Sequence, residues 1–223
     1  MQKSIVLIHG AWHDSSCFDG VKRQLSDQGY DVLAADLPLE GAEGDIRAAR
    51  EFIKTVPGCV VLGHSYGGLV ITHASIDLEV SHLVYLAALM PGRGEDVNEV
   101  VGRYPSSALV EAMVVQDDGR LAIDPDKAIP AFYHDCEESI ARAAAARLRP
   151  QTFAPFPVLD QEPAWRNVES TYVVCLDDKA QHPSLQGLFA SRATSTVKWA
   201  GSHSPFLTQP ARVAALLAQL ASA

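Results

Sequence analysis

Short apolar runs rich in Val, Ile and Leu recur at positions 4–8, 31–35, 59–62, 82–87, 171–176 and 196–199. They are nearly continuous and do not alternate with polar residues, as expected of strands covered on both faces of a parallel sheet. Between most of them, at 18–28, 44–55, 66–76, 183–193 and 209–222, apolar residues fall at helical spacing with polar residues opposite. Strand alternating with helix predicts an α/β fold with a mostly parallel six-stranded sheet flanked by helices. The alternation breaks between Met90-Pro91-Gly92 and Trp165, so the core is expected at 1–91 and 165–223, with 92–164 inserted. Within the insertion, DDGRLAID centres on a turn and predicts a small hairpin. The Ala-rich stretch 137–148 opens with acids and closes with arginines, the charge order that suits a helix dipole. The stretch PQTFAPFP is expected to return the chain to the sheet in extended conformation.

With 223 residues, 48% of them hydrophobic and 20% charged, the chain can bury one full core carrying a modest insertion. A net charge of −9 without a basic run argues against nucleic acid as a partner, because that binding starts from clustered Lys and Arg. Cys17, Cys59, Cys136 and Cys175 stand far apart with neither metal-ligand nor disulfide-framework spacing, and Cys59 and Cys175 read as buried strand thiols. No segment has the apolar length to span a membrane, and the opening apolar run is too short for a secretory leader. The expectation is a soluble cytoplasmic protein. Its oligomeric state stays open, since an apolar helix face packs on a sheet or on another subunit alike.

One strand-to-helix junction, LGHSYGG from Leu62 to Gly68, places Ser65 between glycines two before and two after it. A G-x-S-x-G in that context predicts a sharp turn that exposes the serine in a strained backbone conformation at a helix N-terminus. A serine hydroxyl needs a base, and the base needs a carboxylate to fix its tautomer. His203 lies in a loop between the last strand and the last helix, at the carboxyl edge of the sheet, on the same rim as Ser65. The run TYVVCL is followed at once by Asp177-Asp178, one of which supplies the carboxylate while the other takes a turn role. An oxyanion hole would come from the N–H of Tyr66 and, in the loop after the first strand, that of Ala11. His9 and His13 in that loop are expected to hold the turn by hydrogen bonds.

Over its whole length the chain resembles the α/β-hydrolase superfamily, and within it the small esterase branch that includes plant methyl esterases and hydroxynitrile lyases. The resemblance rests on VLIHGAWH, GHSYGGLVI, HLVYLAALMPG, CLDDKAQHP and GSHSPFLTQP. In that family a proline follows the catalytic aspartate by five positions, which selects Asp178, since Pro183 is five beyond it. The resemblance makes 92–164 a helical cap, with 131–136 and the 137–148 helix over the active site. Two departures bear on substrate. Asp14-Ser15-Ser16 stand where the family often has a glycine and a tryptophan, implying a more polar pocket beside the oxyanion loop. The lyases carry a threonine and a lysine where this chain has Gly10 and Ser204, and loss of the cation that stabilises leaving cyanide favours hydrolysis.

The expected function is therefore cleavage of a small-molecule carboxylic ester by Ser65, His203 and Asp178, requiring no metal or organic cofactor. Gly10, Trp12, His64, Tyr66, Leu89, Phe132, Tyr133 and His134 are the expected pocket residues. Two other classes stand beside this one: a different reaction on the same triad (lyase, lactonase or acyl transfer), and a ligand-binding protein on the same fold.

Overall fold

The computed structural model describes residues 4–153 and 155–222. Met1–Lys3 and Ala223, at the outer ends of the expected core, and Ala154, in the Pro-rich stretch, lie outside the described residues. The first strand, β1 (Ile5–Ile8), is buried throughout. A 3₁₀ turn at Ser15–Phe18 leads into α1 (Asp19–Ser26), then β2 (Val32–Ala35), α2 (Ala42–Lys54), β3 (Cys59–His64), α3 (Tyr66–Ala74) and β4 (Val80–Leu86). The next stretch holds α4 (Val97–Gly102), α5 (Ala108–Ala112), β5 (Met113–Val115), β6 (Leu121–Ile123), α6 (Pro125–Phe132) and α7 (Glu138–Ala145). The chain closes with β7 (Ser170–Cys175), α8 (Pro183–Ala190), β8 (Ser195–Trp199), α9 (Pro205–Thr208) and α10 (Pro210–Ser222).

Six parallel strands form the main sheet in the order β2-β1-β3-β4-β7-β8. The apolar runs are continuous because both faces are covered. Ile5, Leu7, Val60 and Leu62 face one layer with Phe18, Val21, Leu25, Val213 and Leu217, from the first turns of the chain, α1 and α10. Val6, Ile8 and Val61 face the other with Ala49, Ile53, Leu69 and Val70 of α2 and α3. Burying each such side chain stabilises the fold by about 1.5–3 kcal/mol. Cys59 and Cys175 are buried in β3 and β7 as expected. None of the helices among the described residues is long and apolar enough to cross a membrane.

The boundaries differ from expectation where local signals compete. The helix expected at 18–28 starts one turn early as a 3₁₀ turn because the Asp14 side chain accepts from the Ser16 N–H at 2.9 Å and captures its start. Strand β3 runs on to His64 because Gly63 and His64 continue the ladder with Tyr85 and Leu86. Between β4 and β7 the described residues add no strand to the main sheet, and the predicted hairpin is the antiparallel pair β5–β6. The described residues of the Pro-rich stretch form no helix. Gln151 bridges to Leu121, and Thr152 N–H donates to Leu39 O at 2.9 Å.

The chain steps outward from β1 to β2, then returns to build β3, β4, β7 and β8 on the other side. The loops after β1 and β3 therefore diverge at the carboxyl edge and open a crevice, where ligands bind in sheets of this kind.

Candidate active site

Ser65 sits on that edge with φ +53° and ψ −120°, a conformation that non-glycine residues rarely adopt. Three backbone bonds hold it. Its N–H donates to Leu86 O at 3.1 Å, and its carbonyl accepts from Gly68 and Leu89 N–H at 3.0 Å each. The flanking glycines are required by close approach: a Cβ on Gly63 would stand 2.5 Å from Gly67 O, and one on Gly67 2.6 Å from His9 O. The elbow is thus over-determined, which is how local strain survives in a folded protein.

His203 follows β8 and is buried, with its Nδ1 2.6 Å from Asp178 Oδ2. The Asp178 carboxylate also accepts from the N–H groups of Ala180 and Gln181 at 2.7 and 2.8 Å and from Gln186 Nε2 at 2.7 Å. Three other donors already make it an acceptor, so His203 donates to it from Nδ1 and is left with Nε2 as its acceptor nitrogen. That Nε2 is buried and has no hydrogen-bond partner among the described residues. Asp177 does something else: its carboxylate accepts from Gly201 N–H at 2.9 Å, clamping the loop that carries His203.

The loop after β1 is held by histidines that are acceptors and donors at once. His9 Nε2 accepts from Leu37 N–H at 2.9 Å, so its Nδ1–H donates to Gly10 O at 2.8 Å. His13 Nδ1–H donates to Ala11 O at 2.7 Å, and its Nε2 accepts from the Tyr133 hydroxyl at 2.8 Å. Burial lowers both pKa values from 6.5 to about 4, so both rings are neutral near neutrality. Trp12, at φ +62°, is secured from the far segment: its N–H donates to Gln151 Oε1 at 3.1 Å, its indole N–H to Leu121 O at 3.0 Å, and its carbonyl accepts from Arg149 N–H at 2.7 Å. The Arg149 guanidinium adds bonds to His13 O at 2.7 Å and Leu37 O at 3.3 Å.

A cavity of about 410 Å³ opens above these groups, lined by Ser65, His203, Ala11, Trp12, Tyr66 and Leu89 together with aromatic and aliphatic residues of the far segment, among them Tyr104, Leu109, Met113, Phe153 and Phe156. The sequence expectation for its walls needs correction. Gly10, His64, Phe132, Tyr133 and His134 do not line it. Gly10 lies against the His64 ring, Tyr133 turns to His13, and His134 Nε2 bonds to Asp177 O at 2.9 Å. Phe132 packs behind the site against Trp12 and His203. The wall comes from 98–113 and the return stretch, rather than from 131–136 and α7, because α4, the turn after it and α5 are the pieces drawn over the crevice. Asp14-Ser15-Ser16 are absent from the lining as well. Asp14 turns to Ser16 and pairs with Arg147 at 3.4 Å, and the cavity beside the loop after β1 is mostly apolar.

Several residues that build the site carry no local signal. Gln186 reaches Asp178 from α8, and Arg149 and Gln151 hold the loop after β1 from more than 130 residues away. Buried Asp45 accepts from the Tyr66 hydroxyl at 2.8 Å and from Leu39 N–H at 2.7 Å, and burial pushes its carboxyl above the usual range.

Comparison with known proteins agrees with this fold. The profile of a family described as "Alpha/beta hydrolase family" matches residues 5–216. An α/β-hydrolase of Aspergillus novofumigatus is 25% identical, over 94% of this chain and 93% of its own length. A pyrethroid hydrolase of Sphingobium wenxiniae is 27% identical over 98% and 88%. The crystal structure of polyneuridine aldehyde esterase superposes with a TM-score of 0.83 at 20% identity, covering 99% of each chain.

Proposed function

Because the chain belongs to the α/β-hydrolase family, we propose that it is a serine esterase in which Ser65, His203 and Asp178 cleave a small-molecule ester. The observation that carries the reading is the arrangement at His203: its Nδ1–H is committed to a carboxylate that three other donors hold, while its Nε2 has no partner among the described residues and its ring lines the cavity that Ser65 also lines. A base in that state takes the Ser65 proton as the hydroxyl attacks an ester carbonyl, then returns it to the leaving alcohol. Asp178 keeps the tautomer and stabilises the imidazolium. The oxyanion forms between the N–H groups of Ala11 and Tyr66, the second belonging to a helix first turn that has no intrahelical acceptor for it. Water then enters, and His203 deprotonates it to release the acid.

The segment 92–164 acts as the cap, with 98–113 closing the cavity. Its aromatic and aliphatic lining favours an uncharged ester with an apolar group of moderate size. The test is hydrolysis of p-nitrophenyl and methyl esters of graded chain length by wild type and Ser65→Ala. Turnover in the wild type should fall by several orders of magnitude in the variant. A folded wild type that hydrolyses none of them would overturn the esterase reading and favour a lyase or transfer reaction on the same residues.

A further inference from the structure

We propose that His64 is a positioning residue that locks the base to the nucleophile, an assignment that rests on the esterase reading above. Strands β4 and β7 lie between β3, which leads to Ser65, and β8, which leads to His203, so no direct ladder joins the two strands. The loop after β8 is tied on its approach. Leu176 N–H donates to Trp199 O at 2.8 Å, Asp177 and Gly201 exchange bonds, and Ser202 N–H donates to Asp135 Oδ2 at 2.8 Å. At His203 itself, the backbone carbonyl is held by His64 Nε2 at 2.9 Å. His64 immediately precedes Ser65 and is fully buried, so one side chain joins the elbow to the loop of the base.

The ring is also held by packing. Its centroid is 4.7 Å from that of His203, 4.8 Å from that of Phe206 and 5.8 Å from that of His13. On the side of the loop after β1, a Cβ on Gly10 would come 2.8 Å from His64 Nδ1, so that face admits only glycine. Nε2 donates to a carbonyl, hence Nδ1 carries no proton, and it is buried with no partner among the described residues. Burial, with His203 and His13 beside it, holds the His64 pKa well below the ordinary value. Among the described residues, the charged or titratable groups facing this cluster are Asp178, bonded to His203, Asp135 on the adjoining loop, and the rings of His9, His13 and His203. A neutral donor suits this place, because a cation there would oppose the charge that His203 acquires as it accepts the Ser65 proton.

The test compares His64→Leu, which keeps bulk and loses the donor, with His64→Gln, which keeps an N–H of similar reach. Three quantities are read: kcat and KM on the best ester of the panel, and the rate at which a fluorophosphonate labels Ser65. In that labelling the Oγ–P bond forms as P–F breaks, the proton passing to His203 and fluoride leaving. His64→Leu should lower kcat and labelling by about 10–100-fold, the scale of a small misplacement, with KM within about twofold. His64→Gln should restore most of both rates. Should the Leu variant not fold, His64→Met takes its place. Wild-type rates in the donorless variant, no recovery in His64→Gln, or a KM that rises in step with the loss would overturn the assignment. A wild type whose Ser65 is not labelled would overturn the esterase reading itself, and this assignment with it.

Discussion

Acidification from pH 7 to pH 5 should destabilise this protein well before its carboxylates titrate, because His9 and His13 are buried as neutral rings. Each has a folded pKa of about 4, whereas the same side chain in the unfolded chain titrates at 6.5. Between those values the unfolded state binds more protons than the folded one, so stability falls as pH falls through 6.5 and stops falling near 4. At pH 5 each ring costs roughly 2 kcal/mol relative to pH 7, about 4 kcal/mol for the pair. His64, whose pKa burial also lowers, adds in the same direction. Asp45, whose carboxyl burial raises, offsets part of it. Asp14 and Glu95 are held below their ordinary range and contribute only at lower pH. Against a net stability of about 5–15 kcal/mol, the loss is large. Urea unfolding followed by circular dichroism at constant ionic strength should show a midpoint at pH 5 about 1 M or more below that at pH 7, for a slope of roughly 3 kcal/mol/M. Coincident midpoints at the two pH values would refute the reasoning, since they would mean that the rings accept protons inside the fold.

Two further outcomes follow from the site. Asp178→Asn should lower kcat about 10⁴-fold by fixing the wrong tautomer of His203, while Asp177→Asn, which only loosens a loop clamp, should cost less than about 10-fold; steady-state kinetics on the best ester would show the reverse if Asp177 were the acid. Arg149→Met removes the guanidinium bonds to His13 O and Leu37 O, and kcat should drop by about 10–100-fold with little change in KM; an unchanged kcat would mean that the loop after β1 holds its shape unaided.

Much of this architecture is legible in the chain because short-range rules act on it. Both faces of the sheet are covered, so the strand runs are unbroken, and Ser65 needs glycines at fixed offsets because backbone carbonyls approach within 3 Å. His203 and the paired aspartates are legible from their places after strands. What escapes are contacts across long separations. Nothing near Arg149 or Gln151 announces that they hold Trp12 and His13, and nothing near Met113 or Phe156 announces that they wall the cavity. His64 is expected in the pocket from the sequence. The elbow instead turns its ring away from the cavity and toward the His203 carbonyl. The hairpin was legible from its turn, but the placing of Met113 at the cavity depends on how the whole segment packs.

The bonds from Arg149, Gln151 and Leu121 to the loop after β1 bear on how such enzymes diversify. A segment that only roofed the cavity could be exchanged between relatives like an interchangeable part. Here the same segment also braces the loop proposed to receive the oxyanion, so specificity and turnover are inherited together. Recombination that replaces 92–120 while retaining Leu121, Arg149 and Gln151 keeps the brace and is free to change the substrate. Crossover points beyond Gln151 sever it, and lineages or libraries built that way begin with the catalytic floor already loosened.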